Sequence, residues 1–100
     1  MPIEKFGCDM RGMLSFLILF LLSKRPMHGE GIAEELEKRR GVKPKAGTLY
    51  PALKELKRKG LIKGEKRGKI IVYSLTSEGH KTAKYTKEYF CKCFGDVIKD

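Results

Sequence analysis

Residues 47–75 read GTLYPALKELKRKGLIKGEKRGKIIVYSL, and the apolar spacing changes halfway along them. In the first half Leu49, Ala52, Leu53 and Leu56 recur at spacings of three, four and seven. That is the stripe of an amphipathic helix with one buried face. The helix is expected from about Gly47 to Lys59, with Pro51 in its first turn, where a missing N–H costs little, and Gly60 as its stop. Beyond Gly60 the β-branched residues of Leu61-Ile62-Lys63 and of Lys69 to Leu75 mark two strands. Lys66-Arg67-Gly68-Lys69 reads as the basic hairpin turn between them.

Upstream, a loop from Val42 to Ala46 holds Pro44. Before it, Ile32, Ala33 and Leu36 give a helix from about Gly29 to Arg40. Its acids come early and its cations late, as the helix dipole favours, and Gly41 follows as a stop. Ser23 to Pro26 reads as a turn. A first helix runs from about Asp9, an N-cap type, to Leu22. Downstream, Thr76 or Ser77 caps a last helix running towards the C-terminus. Along it Ala83, Phe90 and Val97 recur every seven residues with Thr86 and Cys93 between them, a heptad seam that Tyr85, Tyr89, Phe94 and Ile98 widen.

The run Met13–Leu22 is apolar nearly all round, where a surface helix shows one stripe. It is about half the length a bilayer crossing needs, and Pro26 and Gly29 follow closely. No secretory leader pattern precedes it. A buried helix of a cytoplasmic protein is expected, with no membrane partner. Leu14, Leu17, Ile18 and Leu21 share one face. Phe16, Leu19 and Phe20 point elsewhere, and a chain of 100 residues has little else to cover them. That second face is expected to meet a partner subunit.

Lys and Arg number 22 against 12 Asp and Glu. The excess sits in one place: Lys38 to Lys69 holds 13 basic residues and two acids, while the rest of the chain is close to neutral. Such a one-sided block is the electrostatic footprint of a protein that binds a polyanion, nucleic acid being the commonest. A disordered chain is excluded by the clustered apolar residues, and a disulfide-stapled secreted domain by three cysteines.

Three helices, a basic β-hairpin and a last helix give the fold class: mainly α with a small β-hairpin, a winged helix-turn-helix. One domain, 1–100, is expected, divided into a DNA-binding part (9–75) and a C-terminal dimerisation helix (76–100). In a winged helix-turn-helix the second helix of the pair reads the groove. With its leucines buried, that helix exposes Thr48, Tyr50, Lys54, Lys57 and Arg58, and the hairpin tip carries Lys66, Arg67 and Lys69. All of these but Lys57, with Lys43 and Lys45 from the preceding loop, are the candidate contacts to double-stranded DNA. Thr48 can donate to a phosphate or cap its helix. Tyr50 can touch DNA or fix the start of the helix.

The strings Gly47-Thr48-Leu49-Tyr50-Pro51-Ala52-Leu53, Gly60-Leu61-Ile62 and Tyr73-Ser74-Leu75-Thr76-Ser77-Glu78-Gly79 closely resemble the PadR family of transcriptional regulators. Leu56, the Leu17-to-Leu22 helix and His28-Gly29 fit the same pattern, and the resemblance covers about residues 10 to 80. It implies a cytoplasmic homodimer that binds inverted-repeat operators, usually as a repressor, with the first and last helices forming the dimer. The interface residues are then Phe16, Leu19, Phe20, Ala83, Phe90, Cys93, Phe94 and Val97. An aromatic residue commonly follows the His-Gly pair in that family; here Glu30 stands there. Some members sandwich flat aromatic ligands between tryptophans at the dimer centre, and this chain has no Trp. An effector, if one acts, is unnamed by the sequence.

Nothing in the chain supports catalysis: there is no phosphate-binding loop, no H-E-x-x-H and no nucleophile elbow. No cofactor or metal is expected. Cys91-x-Cys93 reads as packing first, since Cys93 falls on the seam. A thiol- or metal-responsive regulator using Cys91 and Cys93, with Cys8 or His80, is one alternative. A winged-helix module that binds protein or RNA is the other, and the concentrated charge speaks against it.

Overall fold

The computed structural model describes the backbone of residues 10–99 and the side chains of 13–89, 91 and 92. The chain order is α1 (Met10–Lys24), β1 (Met27–His28), α2 (Gly29–Arg40), α3 (Ala46–Arg58), β2 (Ile62–Arg67), β3 (Ile70–Leu75) and α4 (Ser77–Lys99). The three strands form one antiparallel sheet in the order β1-β3-β2. The fold is mainly helical with a small sheet, in the winged-helix order of elements.

α1 is the axis of the core, packed against α2, α3, β3 and α4. This explains its all-round apolar character. Leu14, Ile18, Leu21 and Leu22 are buried, and so is Leu19, at 0% exposure. The expectation that Leu19 faces a partner subunit is therefore corrected: the neighbouring elements of its own protomer cover it. Leu17 is only partly buried. α1 also continues through Ser23 and Lys24, which the sequence reading placed in a turn, and Asp9 as its cap lies outside the described residues. Ile32 and Leu36 of α2 and Leu49, Leu53 and Leu56 of α3 complete the core, with Ile62 and Leu75 from the sheet.

α3 starts one residue earlier than expected. Lys45 is its N-cap and makes no side-chain capping bond. The Thr48 and Leu49 N–H groups both donate to the Lys45 carbonyl at 2.9 Å. Thr48 thus stands within the first turn and does not cap the helix. Pro51 falls in the second turn, not the first. It cannot donate to the Gly47 carbonyl, and Gly47 is exposed, so water can take that role. At the other end Gly60, at φ 76°, donates to the Lys57 carbonyl and Leu61 to the Leu56 carbonyl. That pair of bonds is a Schellman stop, with Leu61 folded back towards the core.

β2 runs on through Lys66 and Arg67, which the sequence reading placed in the turn. Arg67 pairs with Ile70, so the loop is Gly68-Lys69 alone. Gly68 takes φ 63° and no other residue of the turn has positive φ, the II′ pattern that suits the twist of a hairpin. At the base of the hairpin, Thr76 is the cap of α4. Its Oγ1 accepts from the Gly79 N–H at 3.0 Å and donates to the Gly60 carbonyl at 2.6 Å, while its own N–H donates to the Leu61 carbonyl at 3.1 Å.

Ala83, expected at a dimer interface, is 7% exposed within the protomer and belongs to its core. The first turns of the predicted seam are used internally, where α4 lies on α1. Thr86 beside it is buried too, its hydroxyl donating to the Thr82 carbonyl at 2.7 Å.

Candidate nucleic-acid interface

The leucine stripe fixes which side of α3 looks out. With Leu49, Leu53 and Leu56 against the core, Thr48, Tyr50, Lys54, Lys57 and Arg58 are exposed. The wing, β2 and β3 with their turn, exposes Lys66, Arg67 and Lys69, and also Ile70 and Ile71. Lys43 and Lys45 are exposed in the turn between α2 and α3.

Between the start of α2 and the wing, with Tyr50 of α3 at its side, lies an open groove of about 240 Å³. His28, Gly29 and Glu30 line it from the start of α2, Tyr50 from α3, and Lys69, Ile70, Ile71 and Tyr73 from the wing. Of the candidate DNA contacts it brings together Tyr50 and Lys69. Thr48, Lys54, Lys45 and Arg58 are not among its lining residues. Tyr50 lies across Gly29: a Cβ there would stand 2.6 Å from the Tyr50 hydroxyl. Glycine at this position lets the phenol sit over the start of α2, so Tyr50 both packs and presents a 46% exposed side chain. Burial, then the neighbouring Tyr50, pushes the Tyr73 phenol above its ordinary pKa.

The cations fall into two groups. Lys43 donates to a Glu30 carboxylate oxygen, Arg58 bonds Glu55 at 3.0 and 2.5 Å, and Arg67 lies 3.6 Å from Glu65. The Glu30 bond holds the Lys43 ammonium above its ordinary pKa, and the Glu55 bond does the same for Arg58. Among the described residues, Lys45, Lys54, Lys66 and Lys69 make no ion pair. Sequence reading missed this division, and it missed the groove-lining roles of Glu30, Ile70, Ile71 and Tyr73. The strand alternation that brings Ile71 and Tyr73 to one side was available as a signal. The pairing of residues 30 and 43 across a turn was not.

On the far side of α1, Met13 is 41% exposed and the Phe16 and Phe20 rings sit 6.5 Å apart. The Lys24 ammonium and the Arg39 guanidinium lie 4.9 and 5.1 Å from the centre of the Phe20 ring. The side chains of Phe90, Cys93, Phe94 and Val97 lie outside the described residues, as does Cys8; Cys91 is exposed. Among the described residues no group of three or more His, Cys, Asp or Glu could hold a metal, and no helix is long and apolar enough to cross a membrane.

Solved structures share this fold along nearly the whole chain. A PadR-like transcription factor from Bacteroides fragilis is 28% identical, with a TM-score of 0.77 over 89% of this chain and 90% of that one. RosR from H. salinarum is 27% identical, with a TM-score of 0.77 over 90% and 80%. A PadR family transcription regulator from Clostridium difficile is 28% identical, with a TM-score of 0.73 over 85% and 97%. No curated protein sequence matches the chain significantly. The model of the transcriptional regulator PadR-like family matches residues 18–85, from the core helix through the wing into α4. The protein thus belongs to the PadR-like transcriptional regulators, a family of DNA-binding proteins and not of enzymes.

Proposed function

We propose that this regulator is a cytoplasmic homodimeric repressor that binds an inverted-repeat operator, with α3 in the major groove and the wing on the backbone or minor groove. The observation that carries the reading is the set of exposed lysines that make no ion pair among the described residues on α3 and the wing: Lys45 and Lys54 at α3, Lys66 and Lys69 on the wing. Unpaired cations release condensed counterions when they meet phosphate, so affinity falls steeply with salt. Specificity comes from a few side chains near the start of α3, Thr48, Tyr50 and Lys54 among them.

Dimerisation uses the outward face of α1, Met13, Phe16 and Phe20, together with the C-terminal part of α4 that carries Phe90, Cys93, Phe94 and Val97. Leu19 and Ala83 stay in the protomer core. An effector would act through the same interface by favouring one arrangement of the two reading helices.

The test is a titration of the full chain against random genomic duplex fragments at two salt concentrations, with the bound fragments sequenced. Enrichment of one inverted repeat that persists at the higher salt supports the reading and supplies the operator. A reporter behind that operator then reads repression. Binding that vanishes uniformly with salt would overturn it in favour of a protein- or RNA-binding module.

A further inference from the structure

We propose that Glu30 sets the strength of phosphate binding on this face: it occupies Lys43 and keeps a negative charge between the reading helix and the wing. The inference rests on the reading that α3 and the wing face DNA.

Three observations place Glu30 there. It lines the same groove as Tyr50 of α3 and Lys69 of the wing, and it is the one acid among the lining residues. Its side chain is 54% exposed, so its charge faces outward. Its carboxylate accepts a bond from Lys43, which stands in the turn that leads into α3. Glu34 and Glu37 of α2 also act on the Lys43 charge, without bonding it; Glu55 and Glu65 differ. Glu55 pairs with Arg58 one turn along the same helix, and Glu65 with Arg67 on the same strand. Those charges cancel within one element. The Glu30–Lys43 pair joins two segments and lies where a sugar-phosphate backbone spread from α3 to the wing must cross.

DNA and Glu30 compete for one ammonium. While Lys43 is held by Glu30, the face presents one phosphate-binding cation fewer than its sequence supplies, and a carboxylate opposes the strand that crosses the groove. The contact is with backbone and not with bases, so the restraint acts alike on every sequence. Removing it frees about one phosphate contact, which steepens the slope of log affinity against log salt by about one.

The experiment measures binding of the full chain to a random-sequence duplex and to the recovered operator at low and high salt. Glu30→Gln is expected to tighten both duplexes by the same factor, about three- to tenfold at low salt, with the steeper slope. Adding Lys43→Gln to that variant should remove the gain. Glu88→Gln, which removes an exposed acid from α4, should change binding less than twofold. If the glutamine variant melts early, Glu30→Ser is substituted, since serine suits the first turn of a helix.

Unchanged or weaker binding by Glu30→Gln overturns the proposal. So does an equal gain from Glu88→Gln, which would make net charge the cause. An effect confined to the operator overturns it as well, because Glu30 would then accept from a base. Lys54→Gln and Lys69→Gln separate this failure from that of the underlying reading. If they weaken binding while Glu30→Gln does not tighten it, only the present inference falls. If neither weakens binding, DNA does not lie on this face and both readings fall.

Discussion

The exposed cationic face of α3 and the wing and the partly buried aromatic face of α1 are managed in opposite ways. Charged side chains are well solvated, so an exposed lysine costs the folded state little. Acids stand beside some of the cations, Glu55 by Arg58 and Glu30 by Lys43, and on the proposed reading they set the strength of that face. Exposed aromatic surface is costly in water. On α1 the stems and charges of Lys24 and Arg39 lie over Phe20, shielding the ring in a way a partner subunit could replace. One face is tuned by cancelling charge, the other by covering apolar area. The two should therefore respond to different perturbations.

The largest effect comes from the joint that both faces share. A Cβ on Gly79 would run into the Leu61 carbonyl oxygen and stand 3.2 Å from Leu75. Gly79→Ala is expected to cost about 3 kcal/mol or more in urea unfolding and to impair DNA binding and self-association together. If it disabled one face alone, the shared-joint account would fail. Next is Lys54→Ala, expected to weaken operator binding by about 1–3 kcal/mol if it reads a base, with the thermal midpoint and assembly state unchanged. If it touches phosphate only, the loss is uniform over sequences and the salt slope drops by about one.

Phe16→Lys should raise the dimer dissociation constant at least tenfold in sedimentation equilibrium, about 1.4 kcal/mol, while core stability stays near that of the parent. A dimer unmoved by it would place the interface elsewhere. The smallest effect is expected at Arg58→Gln. Its charge is already committed to Glu55 on an exposed helix face, so operator binding should change by about 0.5 kcal/mol or less. A loss as large as that of Lys54→Ala would erase the distinction between paired and unpaired cations.

Much of this was legible in the residues. α2 runs from Gly29 to Arg40 as expected, because its acids, its cations and the Gly41 stop all mark the same ends. The leucines of α3 identified its buried face, and hence its exposed one. What could not be read was long-range. β1 is two residues, Met27 and His28, made a strand by their pairing with Tyr73 and Val72, and two residues carry no periodicity. Leu19 reads as outward if a chain of 100 residues has little to cover a second face of α1, whereas four elements pack on that helix. Pairing of Glu30 with Lys43 depends on how the turn after α2 folds back, which neither residue's neighbours in sequence reveal. Candidate contacts were thus recoverable as positions, but not as paired or unpaired charges.

Thr76 touches three parts of the molecule at once: Gly60 at the end of α3, Leu61 at the root of the wing and Gly79 in the first turn of α4. Its hydroxyl and amide tie the start of the long C-terminal helix to the end of α3, the proposed reading helix. In a pair of protomers joined along α4, that junction bears on how far apart the two copies of α3 stand, as the hinge of a calliper does for its jaws. On the proposed dimer, half-site separation on the DNA, about 34–36 Å for sites one helical turn apart, would then depend in part on the bonding geometry of Thr76.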